Sequence, residues 1–202
     1  MNDRMKVKII LLPILTLLVV GCTNNSTPSP TPSGDEVSFT IDFSEAPQTN
    51  SSSGNFESKF LPLFTYEDVN YVSDFEFEGY SQINESKLTD ESGENKFVSL
   101  IIGSASTEGI LSFTFTKPLK KATFDATPRY SAYFDYASQS YVKRCDDLRS
   151  AITVNTEEWV LRDSENENFD RVNKEFSVNS TNFSISAYAK ERVWIHSLTL
   201  TF

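Results

Sequence analysis

Apolar residues occupy alternate positions through most of the chain beyond residue 35. In EVSFTIDF, Val37, Phe39, Ile41 and Phe43 share one face, with Ser38, Thr40 and Asp42 on the other. That period of two is the pattern of a half-buried strand. GILSFTFT repeats it, with Leu111, Phe113 and Phe115 set against Ser112, Thr114 and Thr116. KPLKK reads as a turn, after which Ala122, Phe124 and Ala126 alternate with Thr123, Asp125 and Thr127. ITVNTEEWVL predicts a hairpin turning near Asn155 to Glu157, and TDESGEN, residues 89 to 95, a polar hairpin loop. NFSISAY points Phe183, Ile185 and Ala187 inward. In RVWIHSLTLTF the inward set begins with Val193 and Ile195 and then changes parity to Leu198, Leu200 and Phe202. A bulge near His196 and Ser197 would reconcile the two halves.

No window carries a helical stripe, and residues 55 to 68, NFESKFLPLFTYED, offer at most one short turn of helix because Pro62 sits inside them. Many short strands with Ser and Thr outward predict an all-β domain, an antiparallel β-sandwich of jelly-roll type. It is expected to span residues 35–202 as one domain, with Phe39, Ile41, Leu111, Phe113, Phe124, Ile185, Leu198 and Leu200 inside. The stretches LIIGSASTEGILSFTFTKPLKKATFDA, AITVNTEEWVL and RVWIHSLTLTF, with Gly103 and Gly109, resemble jelly-roll modules of bacterial surface proteins. Those modules are similar to galactose-binding-like and carbohydrate-binding sandwiches. The resemblance implies a fold and a taste for glycans but transfers no site residue, because sandwiches host many functions.

The first 34 residues follow a different logic. Arg4, Lys6 and Lys8 precede an apolar run from Ile9 to Val20, shorter than the roughly 20 residues a membrane span needs. A basic start, a short apolar middle and a small residue before the cut predict a signal peptide over residues 1–21. Val19-Val20-Gly21-Cys22 resembles the lipobox of bacterial lipoproteins, which implies a diacylglyceryl-modified Cys22 as first mature residue. Residues 22–34 then form a stalk: Pro28, Pro30 and Pro32 alternate with Ser or Thr, and no large apolar side chain is present. Such a segment is expected to stay disordered or extended. The implied location is outside the cytoplasm, anchored to the bacterial cell membrane through the lipid on Cys22.

Charge narrows the partners. Lys and Arg number 18 against 28 Asp and Glu, and removing residues 1–21 takes away three basic and one acidic side chain, leaving −12. That balance argues against nucleic acid. With Cys22 lipidated, Cys145 has no second cysteine to pair with, so no internal disulfide is expected. Catalysis finds little footing: His196 is the single histidine, and a lone strand histidine reads as structural. There is no zinc-type His pair, phosphate loop or nucleophile elbow. A surface glycoside hydrolase would need a carboxylate pair that the sequence does not single out. Asp163, Glu165, Glu167 and Asp170 in DSENENFD are the weak metal candidates. They lack the Gly and terminal bidentate Glu of an EF-hand and read as a solvated turn, with calcium at most a structural ion. No cofactor is expected.

RYSAYFDYASQSY is the anomaly. Tyr130, Tyr133, Tyr136 and Tyr141, with Phe134, crowd a long connection between strands. Long loops in compact domains tend to be functional, and tyrosine suits stacking on sugars or a protein interface. These four tyrosines are the candidate ligand-binding residues, with packing on one end of the sandwich as the competing explanation. A neutral sugar suits an acidic protein better than an anionic polymer. The functional expectation is therefore a membrane-anchored lipoprotein with a non-catalytic binding domain for extracellular carbohydrate. The alternative is a protein-interaction or adhesion domain.

Overall fold

The computed structural model describes residues 31–33, 36–49, 53–66, 68–90, 93–145, 147 and 149–202. The signal segment, Cys22 and most of the stalk lie outside the described residues. The chain begins with β1 (Thr31–Ser33) and β2 (Glu36–Asp42), then α1 (Ser53–Phe60) and a 3₁₀ turn at Leu61–Phe64. Two short strands, β3 (Thr65–Tyr66) and β4 (Val69–Asn70), precede β5 (Val72–Gly79), β6 (Ser81–Asp90) and β7 (Gly93–Ile102). Next come the long β8 (Gly109–Pro128), β9 (Ser131–Asp135) and β10 (Ser140–Arg144). The remainder is β11 (Ser150–Val154), β12 (Glu157–Arg162), β13 (Val172–Ala187) and β14 (Val193–Thr201).

All pairings are antiparallel, and the protein is an all-β sandwich of jelly-roll type. Its two layers belong to one curled sheet, because β8 and β13 contribute to both. The first half of β8 pairs with β5 and with the end of β13, so that Phe113 faces Phe75 on one side and Phe183 on the other. Strands β11 and β12 continue that layer. The second half of β8 pairs with the start of β13 and with β14, and β14 in turn pairs with β2 and β7.

KPLKK is therefore not a turn between two strands but the bend of one. Leu119 within it is fully buried and pairs with Ser180, where β13 has its own bulges and Asn179 a left-handed φ of 50°. The apolar core positions of β8 are odd up to Leu119 and even from Ala122, which is how a strand turns a corner without leaving the core. The same device operates in β14, where register shifts between Ile195 and Ser197 and the buried set changes from Val193 and Ile195 to Leu198 and Leu200.

At the end of the stalk, the extended Thr31–Ser33 hydrogen-bond to β2 as an edge strand, with Pro32 opposite Val37. Proline is tolerated there because an edge leaves its missing N–H without consequence. Residues 55 to 68 hold more helix than one turn, and Pro62 sits in the first turn of the 3₁₀ segment, where no helical donor is required. This lid inserts Phe60 and Phe64, both fully buried, against Phe113 at 5.8 and 5.4 Å between ring centroids. All eight expected core residues are buried, none above 2% exposure.

Candidate functional site

Consecutive side chains of a strand point to opposite faces, so apolar triplets place a residue outside the core. Leu100-Ile101-Ile102 in β7 and Val193-Trp194-Ile195 in β14 are such triplets, and they pair directly. Leu100, Ile102, Val193 and Ile195 enter the core; Ile101 and Trp194 form a separate cluster on the outer face. Register extends this into a transverse row: Gln82 of β6 opposite Ile101, Ile101 opposite Trp194, Trp194 opposite Thr127 of β8. Trp194 is only 3% exposed because other aromatics cover it. Phe97 meets it edge-on at 4.8 Å and Tyr130 at 5.2 Å, and Tyr80 packs on the same cluster.

Above this floor opens a cavity of about 300 Å³, at the small end of ligand pockets. Its apolar wall is Tyr80, Ile101, Tyr130 and Trp194, and its polar wall is Gln82, Ser104, Ser131, Arg129 and Arg192. The glycines explain how the chain reaches it. At Gly79 (φ 72°) the chain leaves β5 for β6, and a Cβ there would lie 1.9 Å from the Glu108 carbonyl oxygen. Tyr80 follows at once, its N–H donating to the Glu108 carbonyl and its carbonyl accepting from the Gly103 N–H. Gly103 (φ 76°) is itself in the cavity wall. A side chain at Gly79 would displace the Glu108 carbonyl that receives the Tyr80 N–H, and one at Gly103 would crowd the Ala187 and Tyr188 carbonyls at 3.2 Å.

The two arginines come from neighbouring chain segments, because the Arg129 N–H donates to the Arg192 carbonyl at 3.3 Å. Arg192 is held by two hydrogen bonds: Nε donates to Asp147 Oδ2 at 2.9 Å and Nη2 to Oδ1 at 2.8 Å. Asp147 is 4% exposed, so the pair is a buried, bidentate clamp. Behind it, Arg162 donates to the Asp147 carbonyl and lies 5.0 Å over the Phe169 ring, which meets Tyr130 edge-on. Arg149 bridges Glu191 and Glu158, whose hydrogen bonds raise its pKa further above the ordinary arginine range.

The structure divides the four candidate tyrosines. Tyr130 lines the cavity, while Tyr133 lies on β9, Tyr141 on β10 and Tyr136 in the turn between these two strands, which pair as their own two-stranded sheet. The region is thus a hairpin rather than an irregular loop, its turn closed by Asp135, which accepts hydrogen bonds from Ala137 N and from Ser138 N and Oγ. Tyr136 is 81% exposed and Tyr133 45%, so both rings meet solvent. Phe134 gathers Tyr136 and Tyr141 at 5.2 and 5.3 Å.

The acidic segment closes turns. Asp163 Oδ1 accepts from Glu165 N and Asn166 N, and Asp170 Oδ2 accepts from Asn168 Nδ2. Glu165 and Glu167 are exposed. Among the described residues no three His, Cys, Asp or Glu side chains converge as a metal site. His196 is partly buried and exchanges a 2.8 Å hydrogen bond with Thr127; burial foremost, then the Arg171 charge, pushes its pKa down to about 4. Cys145 is half-buried and free. Tyr80, Gln82, Arg129, Arg192 and Trp194 escaped the sequence reading, although the paired apolar triplets already carried the signal for the floor. No protein-family model matches the chain, and no curated protein matches it.

Proposed function

We propose that this protein is an exported lipoprotein, tethered through Cys22, whose β-sandwich binds an extracellular carbohydrate without catalysis in the cavity beside Trp194. The observation that carries the reading is the wall composition: Tyr80 and Tyr130 offer aromatic surface over a floor of Trp194, and Gln82, Ser104 and Ser131 offer hydroxyl-matching donors and acceptors around about 300 Å³. Sugars present apolar C–H faces and a rim of hydroxyls, and a concave site with a few convergent polar groups suits them. The outer-face position leaves the mouth unobstructed by the sandwich core. The test is a glycan array probed with the full chain and with Tyr130→Ala. Retention by the parent and loss by the variant, at matched melting temperature, supports the reading; equal retention refutes it.

Adhesion to a protein is the second reading, favoured by the exposed aromatic tip of the β9–β10 hairpin, with Tyr133, Phe134 and Tyr136. Aromatic residues of this kind are enriched at protein interfaces. A chain that binds no glycan yet binds host or bacterial surface protein through that tip would replace the first reading.

A further inference from the structure

We infer that the ligand is a chain of sugars rather than a single one: the cavity takes one unit, and Tyr133, on the hairpin that leaves the cavity wall, takes the next. The inference rests on the carbohydrate reading above and deepens it.

Register carries it. Ser131 lines the cavity and is the first residue of β9. Alternate residues of a strand share a face, and residues directly opposite on the partner strand share it too. Tyr133 therefore stands on the Ser131 side of the hairpin, about 7 Å further along, with Val142 opposite it. Phe134 and Tyr141 are directly paired on the other side, where their rings meet at 5.3 Å and Tyr136 joins Phe134 at 5.2 Å. That cluster holds the hairpin together, while the Tyr133 ring, on the cavity side, is exposed. The cavity itself, about 300 Å³, is at the small end of ligand pockets, so a longer glycan has to continue outside it. Strand β9 marks the way out, running from Ser131 at the wall to Asp135 beside the exposed Tyr136.

The hairpin is also set against the cavity before any ligand arrives. Lys143 of β10 places Nζ 4.9 Å from the centroid of the Tyr130 ring, itself part of the wall. Strand β9 lies close to β6, which contributes Gln82 to the same wall. A platform already in position costs little ordering when a ligand settles on it. A tyrosine ring offers a flat apolar face with a polar tip, which suits the C–H face and hydroxyl rim of a second sugar. Stacking of this kind needs no positive charge, in keeping with a neutral glycan on an acidic protein.

The experiment titrates the full chain calorimetrically with the methyl glycosides of glucose, galactose, mannose and N-acetylglucosamine, and with a linear tetrasaccharide of each. At least one tetrasaccharide is expected to bind about tenfold more tightly than its own methyl glycoside, a gain that burial of apolar surface on a second ring supplies. Tyr133→Ala, at matched melting temperature, is expected to lose most of that gain, and Tyr133→Phe to keep it. A gain that Tyr133→Ala retains overturns the inference, because repeated units alone offer the cavity several equivalent sugars to choose from. Equal affinity for single and chained sugars also overturns it and leaves the carbohydrate reading standing. A parent that binds none of these ligands overturns both. Should Tyr133→Ala fail to fold, the ring resonances of Tyr133 in the parent decide: the tetrasaccharide is expected to shift them and the methyl glycoside to leave them in place, and a ring that the tetrasaccharide does not shift overturns the inference.

Discussion

Burial holds the His196 imidazole at a pKa of about 4, against 6.5 for an unhindered histidine. The unfolded chain therefore takes up a proton as pH falls through 6.5, while the folded protein does so only near 4. Stability contributed by the neutral ring is complete above 6.5, is lost as pH falls between these values, and falls no further below 4. Allowing for partial exposure, the loss amounts to about 2 kcal/mol. Thermal melts at pH 7 and pH 4.5 check this: His196→Gln should reduce the difference between the two, and a difference unchanged by the substitution contradicts the assignment. The Asp147 clamp makes a sharper claim at the same scale. Asp147→Asn leaves the Arg192 guanidinium, with a side chain 14% exposed, short of its counter-charge. Breaking a buried pair in this way costs about 3–5 kcal/mol, and denaturant unfolding should show it. Phe113, 2% exposed and surrounded by Phe60, Phe64, Phe75, Phe115 and Phe183, should likewise cost about 3–5 kcal/mol on truncation to Ala.

Among the elements, alternation made the strands legible and corners hid from it. The parity change at His196 and Ser197 could be read as a bulge because Val193 and Ile195 on one side and Leu198 and Leu200 on the other are all strongly apolar. KPLKK concealed the same event, because its lysines and proline look like a turn while Leu119 stays in the core. The tyrosine-rich region shows the limit for sites. Local sequence cannot say that Tyr130, in the link between β8 and β9, packs on Trp194, 64 positions later, while Tyr136 projects from a hairpin tip. That separation arises from long-range register between β8 and β14. It also yields a prediction for the hairpin. Tyr136→Ser removes a ring that is 81% exposed, so stability should change by less than about 0.5 kcal/mol. A larger loss in a melt would mean that the tip packs on the sandwich after all.

At the scale of the whole molecule, the described chain enters through β1, whose Thr31 lies opposite Ser38, itself opposite Thr201 at the far end of β14. Trp194 lies at the other end of that strand, seven residues or about 23 Å away. A tether joined beside Thr201 would thus leave the cavity at the opposite end of the sheet. Cys22→Ser should move the protein from the membrane fraction to the soluble fraction, or stall it uncleaved, and unchanged partitioning would remove the anchor from the account. The central claim is that saccharide binds beside Trp194. Trp194 and Trp159 are the two tryptophans of the chain, one on the cavity floor and one in the core, which gives each its own indole N–H signal in a nitrogen-labelled nuclear magnetic resonance spectrum. Titration with the best saccharide from the array should shift the Trp194 indole and leave that of Trp159 in place. A saccharide that binds without moving the Trp194 signal, shifting hairpin residues such as Tyr133 and Tyr136 instead, would contradict it.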